Sequence, residues 1–141
     1  MRSPATRPCA VLLLALGAAA APAADDPQVD AAKAAALSWL ALADQGNATL
    51  TWQSAAQVFQ KALTRDRWQI ALTATRAPLG QVKSRELLDA TAARSLPGAP
   101  DGDYVVIQYR TVFEFKADAT ETITPQRDAD GRWRVAGYYI K

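Results

Sequence analysis

The chain has 141 residues, half of them hydrophobic, with 16 basic and 14 acidic side chains, one cysteine and no histidine. A chain of this length supports one hydrophobic core rather than two. Without histidine there can be no His-based catalytic triad, no Cys2His2 zinc site and no haem held by an axial His.

The first residues carry Arg2 and Arg7 and no acid, followed by an uncharged stretch from Cys9 to Ala21 centred on Val11-Leu12-Leu13-Leu14-Ala15-Leu16. Ala21-Pro22-Ala23 then supplies a small-x-small cleavage site ahead of Asp25 and Asp26. A basic start, an apolar middle and a small-residue site predict a secretory signal peptide at 1–23, cut before Ala24. The apolar run is too short to span a membrane, which takes roughly 20 residues. Cys9 stands at the start of the run, not after it, which excludes a lipoprotein anchor. Cleavage removes two arginines and no acid, so fourteen basic and fourteen acidic residues remain. A neutral domain has no general electrostatic pull toward nucleic acid or an anionic membrane, and no membrane insertion after cleavage is expected. Cys9 leaves with the signal, so residues 24–141 form no disulfide, although the expected periplasmic or extracellular location would permit one.

A helix is predicted over 27–45, capped by Asp26, with Pro27 in its first turn and Val29, Ala32, Ala36, Leu40 and Ala43 at helical spacing. Leu37 flanks this stripe, and Gly46-Asn47 ends the helix. A second helix is expected over 52–63, capped by Thr51, with Ala55, Val58, Phe59 and Leu63 as its apolar stripe. Thr64 caps a third, in which Trp68, Leu72 and Thr75 share a face, and Pro78-Leu79-Gly80 leads out of it. From 81 onward the pattern turns to strands. Residues 81–93 form a weak one, because Leu87-Leu88 and the alanines suit a helix equally well. A turn cluster at 97–102 leads into the clearest strand, 103–116. Val105, Ile107, Tyr109, Thr111, Phe113 and Phe115 alternate there with polar or mixed positions. A third strand spans 119–127, Asp128-Ala129-Asp130-Gly131 forms a hairpin turn, and a fourth strand spans 132–140. In that last strand Trp133, Val135, Gly137 and Tyr139 face one way, and Tyr138 and Ile140 the other. The expected architecture is a single α+β domain over 24–141, with three N-terminal helices packed on one face of a four-stranded antiparallel meander.

The Trp68 helix is followed by Arg76-Ala77-Pro78-Leu79-Gly80, Arg85, Pro100-Asp101-Gly102-Asp103-Tyr104-Val105-Val106, and an ending from Asp130-Gly131-Arg132-Trp133 to Tyr138-Tyr139-Ile140. In order and spacing, from about residue 30 to the end, this resembles the exported bacterial domain-of-unknown-function family 4019. That family has no established activity, so the resemblance implies no catalytic residue. The order of elements is also similar to cystatin-like cones of the nuclear transport factor two type. This fold-level similarity implies a curved sheet that wraps a helix and can enclose a pocket.

Lys83 and Ser84 are adjacent on a strand and point to opposite faces, which disfavours a Ser-Lys pair. Asp101-Gly102-Asp103 and the 128–131 segment lack a distal Glu and read as turns rather than calcium loops. Arg85, Arg110, Glu114, Glu121 and Arg134 are expected on the outer sheet face. They read either as a cross-strand charge ladder or as an anion- or partner-binding stripe led by Arg85 and Arg110. Most aromatics read as core, with Trp52, Trp68 and Tyr109 as candidate walls of a ligand pocket. The leading expectation is a non-enzymatic exported module, without metal or cofactor, that binds a protein partner or small molecule through its sheet face or a sheet-helix pocket. One alternative is a small pocket enzyme using a buried carboxylate with Tyr. The predicted inward positions 105, 107, 109, 111, 113 and 115 carry no acid, although Glu86 faces inward in one register. The other alternative is a self-associating structural component of the envelope. The oligomeric state is left open.

Overall fold

Asp26 opens the first helix as its sequence position suggests. Its carboxylate accepts the Gln28 N–H at 2.9 Å, Pro27 occupies the first turn, and α1 runs over Pro27–Asp44. Residues 26–141 are described by the computed structural model, and the predicted signal peptide at 1–23 lies outside them. Gly46, at φ 70°, closes α1, and Asn47 then caps the next helix by accepting the Leu50 N–H.

The helix expected over 52–63 is two short ones, α2 at Ala48–Gln53 and α3 at Gln57–Ala62. The break has a tertiary cause. The Ala56 N–H is spent on the Val135 carbonyl at 2.8 Å, which takes it out of any helical ladder. The Gln60 side chain caps the end of α2 by donating to the Trp52 carbonyl at 2.9 Å, and the Trp52 indole donates to the Leu63 carbonyl at 2.7 Å. Thr51 is therefore not a cap. It lies inside α2, fully buried, and its hydroxyl accepts the Trp68 indole N–H at 2.8 Å while its carbonyl accepts that of Trp39 at 2.9 Å. Thr64 caps α4, Arg65–Arg76, as expected; Trp68 and Leu72 are buried on it and Thr75 is exposed.

A short 3-10 turn at Ala77–Leu79 leads into β1 (Val82–Ala93), followed by β2 (Tyr104–Phe113), β3 (Lys116–Arg127) and β4 (Trp133–Ile140). The sheet order is β1-β2-β3-β4, every pair antiparallel, so the α+β meander holds, with four helices in place of three. The strand expected over 103–116 instead stops at Phe113 and reverses through Glu114 and Phe115. This turn contains no Gly, Pro, Asn or Asp, and no non-glycine residue described has a positive φ. It is held from outside: the Glu114 N–H donates to the Gln81 carbonyl at 2.8 Å and the Phe115 N–H to that of Leu79 at 2.9 Å. Phe115, expected on the inner face, is 72 % exposed at the hairpin tip.

In β4 the ladder skips a residue. Thr124 pairs with Gly137 and Pro125 with Val135, leaving Ala136 as a bulge. Pro125 has no N–H to donate, and a bulge is where a proline can sit inside a sheet. The bulge reverses the remaining faces. Val135 points at the helices, and beyond Ala136 it is Tyr138, not Tyr139, that continues inward. The core joins Ala32, Ala36, Trp39 and Leu40 of α1 to Trp68, Leu72, Ile107, Tyr109 and Ile123, with Trp39, Trp68 and Phe59 in a chain of tilted and edge-on rings. Alanines along α1 let the helix lie close to the sheet. Thr51→Val keeps the shape but removes the acceptor for Trp68. Chemical denaturation is expected to show a loss of about 1–3 kcal/mol, the cost of leaving a buried donor unpaired.

Candidate functional site

The inner face of β3 places Glu121 between Ala119 and Ile123, with no exposed surface. Each of its oxygens receives two donors. Arg85 Nε, at 2.7 Å, and the Thr111 hydroxyl reach Oε1; Arg85 Nη2, at 3.2 Å, and the Tyr138 hydroxyl reach Oε2. The donors come from β1, β2 and β4. Arg85 also forms a fork onto Asp44 at the end of α1, at 2.9 Å through both terminal nitrogens. Asp44 in turn accepts Arg76 Nη2, from the last turn of α4, at 2.8 Å. The Arg76 guanidinium lies over the Phe113 ring at 5.0 Å from its centre. Two cations and two anions thus form one chain that balances in charge.

Burial alone would raise the Asp44 pKa, but the hydrogen bonds from Arg85 and Arg76 outweigh it and hold the carboxyl below its ordinary value near 3.8. For Arg85 burial acts downward, and the bonds to Asp44 and Glu121 overcome it and raise the pKa. Tyr138 is raised well above 10, first by burial and then by the Glu121 charge and hydrogen bond. Its ring meets Trp39 edge-on at 5.2 Å. Tyr109 is also raised, chiefly by burial.

Glu121 lines none of five hollows on the surface of the described residues. One, of about 500 Å3, lies between α1, the corner after α2 and the start of β4. Its walls include Ser38, Trp39, Gln53, Arg132, Trp133 and Arg134. Another, of about 330 Å3, lies at the ends of α1 and α4, bounded by Asp44, Arg76, Gly80 and Glu114. Gly80 takes φ 73° there, and a Cβ on it would stand 2.8 Å from the Glu114 Cβ.

The residues expected to form a site are dispersed. Arg85 is on the inner face, not the outer, and its guanidinium is committed to Asp44 and Glu121. Glu121 is likewise inner. Arg110 is exposed on the outer face, paired in register with Glu86, which faces outward too. Glu114 sits at the hairpin tip, and Arg134 binds Asp128 and Asp130 of its own turn. The outer charged stripe is therefore not formed by these five residues. Trp52 borders a shallow hollow with Thr64, Arg65 and Asp66; Trp68 and Tyr109 are buried in the core and border none of the five. Tyr138, expected to face away from Trp133, is inward, and the outward aromatic is Tyr139, 58 % exposed. Asp44, Arg76, Glu121 and Tyr138 were not read as one group from the sequence. For Glu121 a signal existed: it alternates with Ala119, Ile123 and Pro125, an apolar face at period two.

Glu121→Leu removes one partner of a buried pair, and urea titration is expected to show a loss of about 3–5 kcal/mol. The Tyr138 proton gives its full stabilisation below pH 10, the ordinary tyrosine value, and loses it as pH rises toward the raised folded-state value. Above about pH 10, unfolding free energy is therefore expected to fall more steeply in the parent than in Tyr138→Phe.

Among curated proteins, none has a sequence that matches this chain. A candidate ketosteroid isomerase from Shewanella frigidimarina NCIMB 400, solved by crystallography, is similar in structure at 19% identity and a TM-score of 0.48, over 80% of this chain and 97% of that one. The family described as "Protein of unknown function (DUF4019)" matches over residues 35–138, a span that holds the whole Asp44–Arg76–Arg85–Glu121–Tyr138 chain of contacts. With most of its length so matched, the chain belongs to the DUF4019 family.

Proposed function

We propose that residues 24–141 act as an exported, non-enzymatic binding module of the periplasm or cell exterior. The observation that carries this reading is the state of the interior acid. A pocket enzyme of the expected kind needs a carboxylate that substrate can reach and that has a lone pair to receive a proton. Glu121 stands opposite Tyr109 in the strand register, where such a group would be wanted, yet it is sealed from solvent and holds four donors on two oxygens. A carboxylate has about four acceptor positions, so none is left over. The polar chemistry inside the domain is thereby used for cohesion, and the groove between α1 and the start of β4 is lined by no acid that could react. Export accords with the three-part N-terminal segment and with the neutral charge that its removal leaves.

Two measurements test the reading. N-terminal sequencing of the protein from the periplasm is expected to begin at Ala24; an uncleaved chain confined to the cytoplasm would overturn export. The purified mature domain, melted against a panel of small organic acids, bases and neutral compounds, is expected to gain on the order of 10 °C with one class at about a hundred times its Kd. The compound is expected to be recovered unchanged. Consumption of the compound, abolished in Glu121→Gln while binding persists, would make the domain an enzyme.

A further inference from the structure

The groove between α1 and the start of β4 combines features that define a ligand class. We propose that it binds a small organic acid, a carboxylate carried on a flat apolar body; this rests on the binding-module reading above. The groove's volume of about 500 Å3 lies within the range of small-molecule sites, roughly 300–1,000 Å3. Trp133 and Trp39 both line it, Trp39 only 3 % exposed, and both are fixed before any ligand arrives. Trp39 donates to the Thr51 carbonyl at 2.9 Å and is packed between Trp68 and Tyr138. Trp133 donates to Gln28 Oε1 at 3.2 Å. Ala35 and Ser38, one turn apart on α1, leave the space between them open. Rings held in place in this way spare the ligand the cost of ordering them.

The charge on the walls selects the sign of the ligand. No acid lines the groove, and two arginines do. Arg134 is already committed. Its fork takes both oxygens of Asp130, at 2.9 and 2.8 Å, and reaches Asp128 at 3.0 Å. This pairing, led by the Arg134 hydrogen bond, lowers the Asp130 pKa to about 2. Arg132 differs. Its backbone is held firmly, with the N–H donating to Asp130 Oδ1 at 3.0 Å and the carbonyl accepting the Asp128 N–H at 2.8 Å. Its guanidinium contributes to the field at Asp130 but makes no hydrogen bond or ion pair among the described residues. The hairpin turn thus presents one unspent, planar cation at the mouth of an aromatic-walled groove. Guanidinium matches carboxylate in a two-point fork, and a flat apolar body matches the Trp133 indole. The Ser38 hydroxyl and the Gln53 amide, neither bonded among the described residues, add further donors. A cationic ligand would meet like charge, and a neutral one would leave Arg132 unused.

The probe is 2-naphthoate, with 2-naphthamide as its uncharged isostere. Binding to the mature domain is followed by calorimetry, and the indole N–H resonances of Trp39 and Trp133 are followed by NMR. Naphthoate is expected to shift both resonances and to bind about tenfold more tightly than naphthamide, the size of one charged hydrogen-bonded contact. Arg132→Gln is expected to erase that difference, Trp133→Leu to weaken both ligands, and Arg67→Gln, on exposed α4, to change neither. Equal binding of acid and amide, indifference to Arg132→Gln, resonance shifts confined to another hollow, or no binding of naphthoate would each overturn the site. If the melting panel still finds a ligand, the module reading survives that loss; if the panel finds none, the module reading fails on its own test.

Discussion

A carboxylate placed in an apolar core must be neutralised and fully hydrogen-bonded, or the fold does not form. Glu121 sets this condition for the whole domain. Meeting it draws Arg85 from β1, Thr111 from β2 and Tyr138 from β4 onto one side chain of β3. Arg85 is itself too deeply placed to stand on a single anion, and Asp44 supplies the second. Asp44 at the end of α1 would by itself oppose the helix dipole, whereas the two arginines it gathers suit that end. The helix layer is thus attached to the sheet by charge as well as by the Trp39–Trp68–Tyr138 packing.

This solution shapes what the interior can do. The four donors fill the acceptor positions of Glu121, and its side chain has no surface open to solvent. Arg76 is satisfied less completely. Its Nε and Nη1 are buried without a partner, and its guanidinium face lies on Phe113. The open hollows lie at the margins, where α1 meets the β4 hairpin and where the ends of α1 and α4 meet the β2–β3 turn.

What could be read in the sequence was what local chemistry decides. Asp26-Pro27, Thr64 and the Asp-Gly turn are each recognised from a few neighbouring residues, and α1, α4 and the β3–β4 hairpin fall where those signals put them. The alternation of 105–113 marked β2 for the same reason. What could not be read was decided at a distance. The break between α2 and α3 depends on the Val135 carbonyl, nearly eighty residues away, taking the Ala56 N–H. The turn at Glu114-Phe115 carries no turn-forming residue and is fixed by the carbonyls of Leu79 and Gln81. The charged residues were assigned to the outer face because charge is usually solvated. Arg85 and Glu121 are inside because each satisfies the other, a fact that belongs to the pair and to neither position alone. The free guanidinium of Arg132 likewise emerges only once Arg134 is seen to use both oxygens of Asp130.

The bulge at Ala136 decides which way the end of β4 faces. Were Ala136 to take a regular place in the ladder, the unbroken alternation would bring Tyr139 to the inside and turn Tyr138 out to water. Glu121 would then lose one of its four donors, and Trp39 the ring against its edge. One alanine without a ladder partner therefore acts as a spacer that sets which of two adjacent tyrosines is structural and which is free to vary.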